Sequence, residues 1–346
     1  MILTALVLLA PAQPAVDLVR FTQDLESLRQ AAQIPGLSVA IVRDRELILA
    51  RGLGYAELER QIPATAETVY NIASVSKPIS AVVALKLAEE GKLDLDRPIA
   101  AYSDWTEFCK AFHEQQTIFS RDLRCEPAAH TLRHLLSHTV AGQPGERFSY
   151  NPVIYSWASR PIMAATGTPF STLVGRYVFQ PANMTRSARI NRELPLREDL
   201  DEALAPPYQV DAAGRFVRSP ALEKQGDGAA GGVVTTVLDL ARFDVALDSG
   251  RLLSQKSRTA MMTPASGKVP YGIGWFVQNY QGHTLVWHSG WWEKAYSALY
   301  LKVPEKGLTM ILLANSEGLW WDNPLDRAEV EKSPFAQLFL RAFLLK

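Results

Sequence analysis

The chain has 346 residues, of which 47% are hydrophobic, so it is long enough for about two domain-sized units with a sizeable buried core. Its 36 Lys and Arg residues balance 36 Asp and Glu residues, which gives a formal net charge of zero. Because a nucleic-acid backbone attracts a basic surface, and no run of basic residues occurs, the sequence argues against nucleic acid as the main partner.

The first stretch, MILTALVLLAPAQPAVD, is an apolar run that ends in Ala10-Pro11-Ala12. Signal peptidase accepts this small-residue pattern, although no positively charged residue precedes the run. We therefore predict a signal segment over residues 1–15, truncated at its start, and export to the periplasm or the medium. The alternative is an apolar tail packed on a cytoplasmic protein. The run is too short to span a bilayer, and no other stretch is long enough, so we expect no membrane span.

The following segments predict a helix, a hairpin and a second helix in that order. Residues 17–33 carry apolar side chains at helical spacing, which predicts an amphipathic helix. Residues 36–56 contain two β-rich runs around a charged turn, which is typical of a hairpin. The stretch that starts SAVVALKLAEEG predicts a helix that ends at Gly91, and the pattern stays mostly helical to about residue 260.

The last third of the chain is rich in short β runs and closes on an amphipathic helix, AQLFLRAFLLK. Strands near both ends with helices between them predict an α/β (α+β) fold. In this fold, one antiparallel sheet is flanked by N- and C-terminal helices and carries an inserted, mostly helical domain. We place the sheet-and-helix domain at residues 16–78 and 230–346, and the helical domain at residues 79–229.

The chain has two cysteines, Cys109 and Cys125, which bracket one polar segment. If the protein is exported, a disulfide between them is plausible. Two free thiols are the alternative in a reducing compartment, and the sequence leaves both open.

The stretch NIASVSKPIS places Ser74 three residues before Lys77. Residues three apart share one face of a helix, so the amine can reach the hydroxyl. A serine hydroxyl needs a neighbouring base to become a nucleophile, and a lysine can serve if burial keeps part of it neutral. Pro78 is tolerated only in the first turn of a helix, which places the helix start near Ser74. By itself the pattern is weak, because a capping serine followed by an exposed lysine is common.

The surrounding sequence resembles the serine β-lactamase and penicillin-binding-protein-like superfamily, particularly its class C branch with related esterases and D-amino-acid peptidases. Ser-x-x-Lys is the nucleophile motif of these enzymes. The resemblance extends from about residue 20 through YNIASVSKPISAVVALKLAEEGKLDLDRPI, HTLRHLLSHTVAG, FQPANMTRSA, GAAGGVVTTVLDLARF and YGIGWFVQ. It implies a β-lactamase/transpeptidase-like fold, with Ser74 as the nucleophile and Lys77 as its base.

The family's second motif is a tyrosine followed two residues later by an asparagine, and RFSYNPVIYSW places Tyr150 at the matching position. The resemblance implies that the phenol relays a proton near Lys77. Asn151 stands one position early, and Pro152 occupies the place of the asparagine. Proline has no amide to offer, so either Asn151 binds the substrate by another route or the substrate amide is not recognised here.

The third motif is a Lys-Thr-Gly or His-x-Gly triad on a strand, and LVWHSGWW supplies His288, Ser289 and Gly290. The resemblance implies that these residues bind substrate, and that the backbone N–H groups of Ser74 and Trp291 form the oxyanion hole. Histidine is charged only part of the time at neutral pH. This histidine should therefore bind the carboxylate of a β-lactam or peptide less favourably than a lysine would. Hydrolysis of esters or small peptides becomes a more competitive assignment.

A metal site is the competing interpretation, because His130, His134 and His138 lie at four-residue spacing. On one continuous helix they would share a face. No acidic partner is placed as in H-E-x-x-H, so we expect no metal and no organic cofactor.

The sequence thus predicts an exported serine hydrolase that forms an acyl-enzyme on an amide or ester carbonyl of a small molecule or short peptide. The alternatives within the family are a β-lactamase, a carboxylesterase and a D-amino-acid peptidase. A non-catalytic relative that binds peptidoglycan or a partner is the alternative from another class. Two aromatic pairs, Trp291-Trp292 and Trp320-Trp321, either line an apolar acyl pocket or fill core. The oligomeric state is left open.

Overall fold

The computed structural model describes residues 16–125, 129–191, 195–220, 226–264 and 266–345. The predicted signal segment over residues 1–15 lies outside the described residues. Among the described residues, no helix combines the length and the hydropathy that crossing a bilayer requires.

Most of the strands belong to one antiparallel sheet. The described strands are β1 (Gly36–Arg43), β2 (Glu46–Glu57), β3 (Ile62–Pro63), β4 (Tyr70–Asn71), β5 (Ala188–Arg189), β6 (Tyr208–Val210), β7 (Phe216–Arg218), β8 (Val233–Thr235), β9 (Phe276–Tyr280), β10 (His283–Trp292), β11 (Tyr296–Val303) and β12 (Leu308–Ala314). The main sheet has the order β3-β2-β1-β12-β11-β10-β9, while β4, β8 and β5 form a small second sheet and β6 pairs with β7.

Helices lie on both faces of the main sheet. The described helices are α1 (Leu18–Ala31), α2 (Ser76–Glu89), α3 (Trp105–Glu114), α4 (Leu132–Leu136), α5 (Pro152–Trp157), α6 (Ser159–Thr166), α7 (Phe170–Val174), α8 (Glu198–Asp201), α9 (Val237–Asp248), α10 (Gln255–Met261) and α11 (Pro334–Phe343).

The two ends of the chain meet in the middle of the main sheet. Strand β1 pairs with β12 in antiparallel register from Leu37 opposite Ala314 to Arg43 opposite Leu308. The terminal helices α1 and α11 then lie together on one face, where the rings of Phe21 and Phe343 meet edge to face at 5.1 Å.

Both faces of the sheet are buried, because alternate residues of the central strands enter different hydrophobic clusters. Val39 and Leu312 belong to the cluster that includes residues of α1 and α11. Their sequence neighbours Ala40 and Leu313 belong to the cluster that includes α2 and the helical region. A sheet covered on both sides explains why β12 is buried along its whole length and mostly apolar rather than alternating.

This architecture confirms the predicted fold class, with an antiparallel sheet built from both termini, flanking terminal helices and a mostly helical region between them. The short pair β6–β7 within that region was not predicted. The domain boundaries at residues 78–79 and 229–230 remain a prediction. Cys109, in α3, and Cys125 form a disulfide, which is the first of the two alternatives left open by the sequence.

Candidate active site

Ser74 lies in a tight turn that leads directly into α2. Residues Ala73–Val75 form a single 3-10 turn, and the α-helix begins at Ser76. Ala73 has a φ of +45°, a strained value for a residue with a side chain, and its N–H donates to the Asn71 side chain at 2.9 Å. The turn holds Ser74 at the N-terminal end of the helix, where the helix dipole favours negative charge on the serine oxygen.

Lys77 is in direct contact with the Ser74 hydroxyl. Its Nζ lies 2.7 Å from Ser74 Oγ and 3.2 Å from the carbonyl oxygen of Ala230. The side chain is fully buried, and no carboxylate of the described residues forms an ion pair with it. Burial therefore lowers the pKa of Lys77 well below its ordinary value of 10.5. A neutral amine has a free electron pair, so Lys77 can accept the proton of Ser74.

Tyr150 is the third predicted catalytic residue, and the structure brings it to the same place. The centroid of its ring lies 5.0 Å from Lys77 Nζ. Burial raises the pKa of Tyr150, against the opposing effect of a hydrogen bond with Ser74. Burial thus favours the protonated phenol of Tyr150 and the neutral amine of Lys77. The roles of Lys77 as the base and of Tyr150 as a proton donor remain predictions.

The edge of β10 approaches the nucleophile turn closely because residue 290 is a glycine. A Cβ atom on Gly290 would lie 2.2 Å from the carbonyl oxygen of Ile72, a distance that no side chain tolerates. Strand β9 pairs with β10 only as far as Trp287, so beyond that residue one edge of β10 lies against this turn instead. Ser74 and Trp291, the two predicted oxyanion donors, line the same cavity.

His288 is buried behind the site rather than open to it. Its Nδ1 lies 2.7 Å from the carbonyl oxygen of Ser289, which only accepts, so Nδ1 carries the proton. Its Nε2 then accepts a hydrogen bond from the Tyr271 hydroxyl at 2.9 Å. Burial lowers the pKa of His288 well below its ordinary value. His288 is thus a neutral ring with both nitrogens occupied, and we assign it no direct contact with substrate.

Ser289 and Asn151 were predicted to bind substrate, and their environments differ. Ser289 is buried, and among the described residues its hydroxyl has no hydrogen-bond partner. Asn151 is also buried, but its side chain caps α5 by accepting from the Ile154 N–H at 3.0 Å and donates to the Phe119 carbonyl at 2.6 Å. Because both ends of the Asn151 amide are occupied, we leave it out of the substrate-binding groups.

A cavity of about 670 Å³ opens beside the nucleophile. Ser74 and Trp291 line one part of it, and Phe108, Trp157 and Met163 form an apolar wall. The rings of Phe108 and Trp157 are stacked with centroids 5.0 Å apart. Trp292 also lines this cavity, whereas Trp320 and Trp321 line a different one, which Trp291 lines as well.

Two further residues of the site were missed as functional candidates. Tyr271 is fully buried, and its hydroxyl is hydrogen-bonded to His288. The ring of His138 lies 4.4 Å from that of Tyr150, and its Nδ1 accepts from the Asn151 N–H at 3.0 Å. Both lie within segments that carry the family resemblance, but no local spacing connects them with Ser74. Their contacts arise only when the helical region folds against the sheet.

The histidines considered as a metal site do not share a helix face. Helix α4 covers only Leu132–Leu136, so His130 precedes it, and His138 follows it with a φ of +56°. Each ring accepts a hydrogen bond from a different partner. In the described ranges, no group of three or more His, Cys, Asp or Glu side chains could hold a metal ion.

Comparison with known proteins gives a consistent result. A family model described as beta-lactamase matches residues 21–332. The putative penicillin-binding protein PbpX of Bacillus subtilis (strain 168) is 26% identical over 275 residues, which cover 71% of this chain and 63% of that protein. Protein flp of Staphylococcus aureus (strain NCTC 8325 / PS 47) is 24% identical over 83% of this chain and 60% of its own. The chain therefore spans about three fifths of the length of these relatives.

Solved structures share the fold. The octameric penicillin-binding protein homologue from Pyrococcus abyssi superposes with a TM-score of 0.75 at 25% identity, over 94% of this chain and 77% of that one. A D-amino acid amidase from Ochrobactrum anthropi SV3, complexed with L-phenylalanine, has a TM-score of 0.67 at 23% identity, over 86% of this chain and 92% of its own.

Proposed function

The chain belongs to the beta-lactamase family, and we propose that within it this protein is a serine hydrolase that forms an acyl-enzyme on an ester or amide carbonyl. One observation carries the proposal: a fully buried lysine amine without a carboxylate partner among the described residues lies 2.7 Å from the Ser74 hydroxyl. A lysine on the solvent-facing side of a helix, without a chemical role, would be exposed.

The proposed reaction begins when Ser74 Oγ attacks the carbonyl carbon of the substrate and Lys77 Nζ accepts the hydroxyl proton. The carbonyl oxygen becomes negative and accepts hydrogen bonds from the backbone N–H groups of Ser74 and Trp291. The bond to the leaving group then breaks, and the leaving group takes a proton from Tyr150, which Lys77 replenishes. Water attacks the resulting ester of Ser74 in the same way and releases the acid.

The surroundings of Ser74 support an apolar substrate group. The stacked rings of Phe108 and Trp157 form one wall of the cavity. Of the two forms of the third motif, this chain resembles the one with histidine in place of lysine, and its buried, neutral His288 provides no positive charge for a carboxylate. We therefore propose esters or amides with an aromatic or apolar group as better substrates than carboxylate-bearing β-lactams.

We also propose that the protein is exported. The disulfide between Cys109 and Cys125 is stable in oxidising compartments, and it supports the prediction made from the apolar first segment.

The nucleophile is tested with a fluorophosphonate probe, which labels activated serines. We expect wild type to be labelled at one site, Ser74→Ala to remain unlabelled, and Ser76→Ala to be labelled like wild type. Ser76 is the matched control, since it lies two residues away and its buried hydroxyl accepts from the Val233 N–H. An unlabelled wild type, or labelling that survives Ser74→Ala, contradicts the proposal and favours the non-catalytic alternative.

The substrate class is tested by offering a chromogenic cephalosporin, nitrophenyl esters of acetate and phenylacetate, and D-amino-acid amides to the same preparation. We expect the phenylacetyl ester to be the best substrate, because its ring fits the wall of Phe108 and Trp157. Faster turnover of the cephalosporin would contradict the proposed preference for apolar esters and amides. It would not contradict the assignment of Ser74 as the nucleophile.

A further inference from the structure

A second cavity, of about 900 Å³, adjoins the first at Trp291. It lies between the C-terminal end of α1, the segment that follows β12 and the start of α11. We name it the tryptophan cavity, because Trp291, Trp320 and Trp321 line it. We propose that the tryptophan cavity is a second ligand site, which binds an organic ammonium ion with an aromatic body.

The aromatic surface is the first reason. The rings of Trp291 and Trp320 are stacked with centroids 5.1 Å apart, and Trp321 continues the row 5.9 Å from Trp320. Trp291 is 39% exposed, and the other two are half-buried. A contiguous, partly exposed row of indoles is unusual on a protein surface and marks a binding site more often than a plain surface. Tryptophan is also the aromatic side chain that attracts cations most strongly.

The charge of the cavity decides the ligand class. Glu317 and Asp322 line it, and the Oε2 of Glu317 accepts hydrogen bonds from the Trp291 indole and from the Lys294 backbone N–H, each at 3.1 Å. Both donors are neutral, so neither is a counter-ion for the carboxylate. Asp322 forms no ion pair with any residue that the structure describes. Lys332, the cation at this cavity, is paired with Glu329 at 2.7 Å. The cavity therefore favours a cation over an anion.

The wall of the cavity is formed before any ligand arrives. A Cβ on Gly318 would lie 2.5 Å from the Ile34 side chain and 2.6 Å from the Ala32 carbonyl, so this segment lies tightly on the end of α1. The Ser297 hydroxyl donates to the Ser316 carbonyl at 2.6 Å and accepts from the Leu319 N–H at 3.1 Å. A ligand thus meets fixed indoles and loses little affinity to ordering them.

The proposal concerns binding alone and does not depend on the proposed function. Calorimetric titration of the full chain compares 2-phenylethylammonium with 2-phenylethanol, two probes of similar shape that differ in charge. We expect the ammonium ion to bind at least about fivefold more tightly than the alcohol, since cation–π attraction and the carboxylates act on the charge. Equal affinity of the two probes for wild type overturns the proposal.

Variants locate the bound probe. We expect Glu317→Gln to reduce the preference for the ammonium ion, because glutamine keeps the acceptor for the indole and loses one of the two negative charges at the cavity. Trp320→Ala should weaken the binding of both probes. Because Trp320 does not line the cavity beside Ser74, this loss would assign the probes to the tryptophan cavity. The control is Asp326→Asn, an exposed carboxylate near the same segment, paired with Arg327; its affinities should equal those of wild type.

Unchanged affinities in Glu317→Gln and Trp320→Ala would place the probe elsewhere and overturn the proposal. If Glu317→Gln fails to fold, Asp322→Asn tests the charge instead, with a smaller expected loss. N-acetylglucosamine serves as a neutral ring that can also stack on tryptophan. Binding of the sugar that requires Trp320, without binding of the ammonium ion, would assign the cavity to carbohydrate and contradict the ammonium site.

Discussion

Among the residues that the structure describes, two lysines, Lys77 and Lys302, are fully buried, and they illustrate two ways in which a fold accommodates an amine. Lys302, on β11, donates to Asp244, to Asp248 at 3.0 Å and to Thr309 at 3.2 Å, while the Tyr300 hydroxyl donates to Asp244 at 2.6 Å. Lys77 contacts a serine hydroxyl and a backbone carbonyl. Burial is the same for both side chains, and only their partners differ.

The partners decide the protonation state. For Lys302, burial lowers the pKa, but the charges of Asp244 and Asp248 outweigh burial, and the pKa is raised overall. For Lys77, burial acts without a carboxylate to oppose it, so the pKa falls. The two carboxylates favour the charged form of Lys302, whereas burial favours the neutral form of Lys77. Burial alone does not distinguish a structural amine from a reactive one; the carboxylates around it do.

The strongest test of this contrast is Lys77→Met. We expect the rate of fluorophosphonate labelling to fall about 10³- to 10⁴-fold, because Ser74 loses its base. The free energy of unfolding should stay equal or rise, because a buried amine without a counter-charge is replaced by an apolar side chain of similar length. Labelling rates and urea denaturation measure the two effects. A variant that labels within tenfold of wild type would show that Lys77 is not the base.

The matching change in the other region is Lys302→Met. It leaves Asp244 and Asp248 without their cation, so we expect the free energy of unfolding to fall by about 3–5 kcal/mol. The labelling rate of the folded protein should not change. Adding Asp244→Asn to this variant should restore part of the stability, since one buried charge is removed. A loss of stability in Lys77→Met as large as in Lys302→Met would contradict the proposed difference between the two lysines.

A smaller effect is expected for the tyrosine beside each lysine. Tyr150→Phe removes the proposed proton donor to the leaving group, and we expect turnover of a nitrophenyl ester to fall about 10²-fold, at the lower end of the range for acid–base groups. Tyr300→Phe removes the hydrogen bond to Asp244 and should lower stability but not turnover. Similar turnover of the two variants would remove Tyr150 from the mechanism.

The smallest effect is the pH dependence of stability. The unfolded chain binds a proton at Lys77 that the folded chain does not, so the free energy of unfolding rises with pH between the lowered pKa and about 10.5. Lys302, with its raised pKa, contributes stability that is present below about 10.5 and is lost as pH rises through the folded value. One lysine gives a slope of at most about 1.4 kcal/mol per pH unit.

Urea denaturation of wild type and Lys77→Met at pH 8, 9 and 10 measures the Lys77 contribution. The stability of the variant should exceed that of wild type by an amount that shrinks as the pH rises. A difference that stays constant over this range would mean that Lys77 is protonated in the folded protein.

Local signals predicted the contact between Lys77 and Ser74 but not the network around Lys302. Ser74 and Lys77 are three residues apart, so helical spacing and Pro78 were enough to place them together. The network of Lys302 joins β11, β12 and α9, and no spacing along the chain indicates that Asp244 lies beside Thr309. The same reason explains Asn151, whose amide is occupied by the cap of α5 and by a carbonyl 32 residues earlier in the chain.

The two aromatic pairs also show that sequence spacing does not determine which cavity a side chain lines. Trp291-Trp292 and Trp320-Trp321 look alike in sequence, yet only the first pair lines the cavity beside Ser74. Which cavity a side chain faces depends on where a strand or a loop runs relative to its neighbours. The overall sheet could be predicted because apolar runs near both ends had to be covered, whereas the division of the space around Trp291 depends on the packed structure.

The pairing of β1 with β12 has a consequence for biosynthesis. A chain that leaves the ribosome exposes β1 early, but its neighbour in the sheet is not made until Leu308–Ala314 has been translated. Until then the apolar edge of the β1–β2 hairpin has no partner, and nothing holds the turn of Ser74 against β10. Translation products that stop before β12 should therefore be prone to aggregate, and the turn of Ser74 should lack its final position in them.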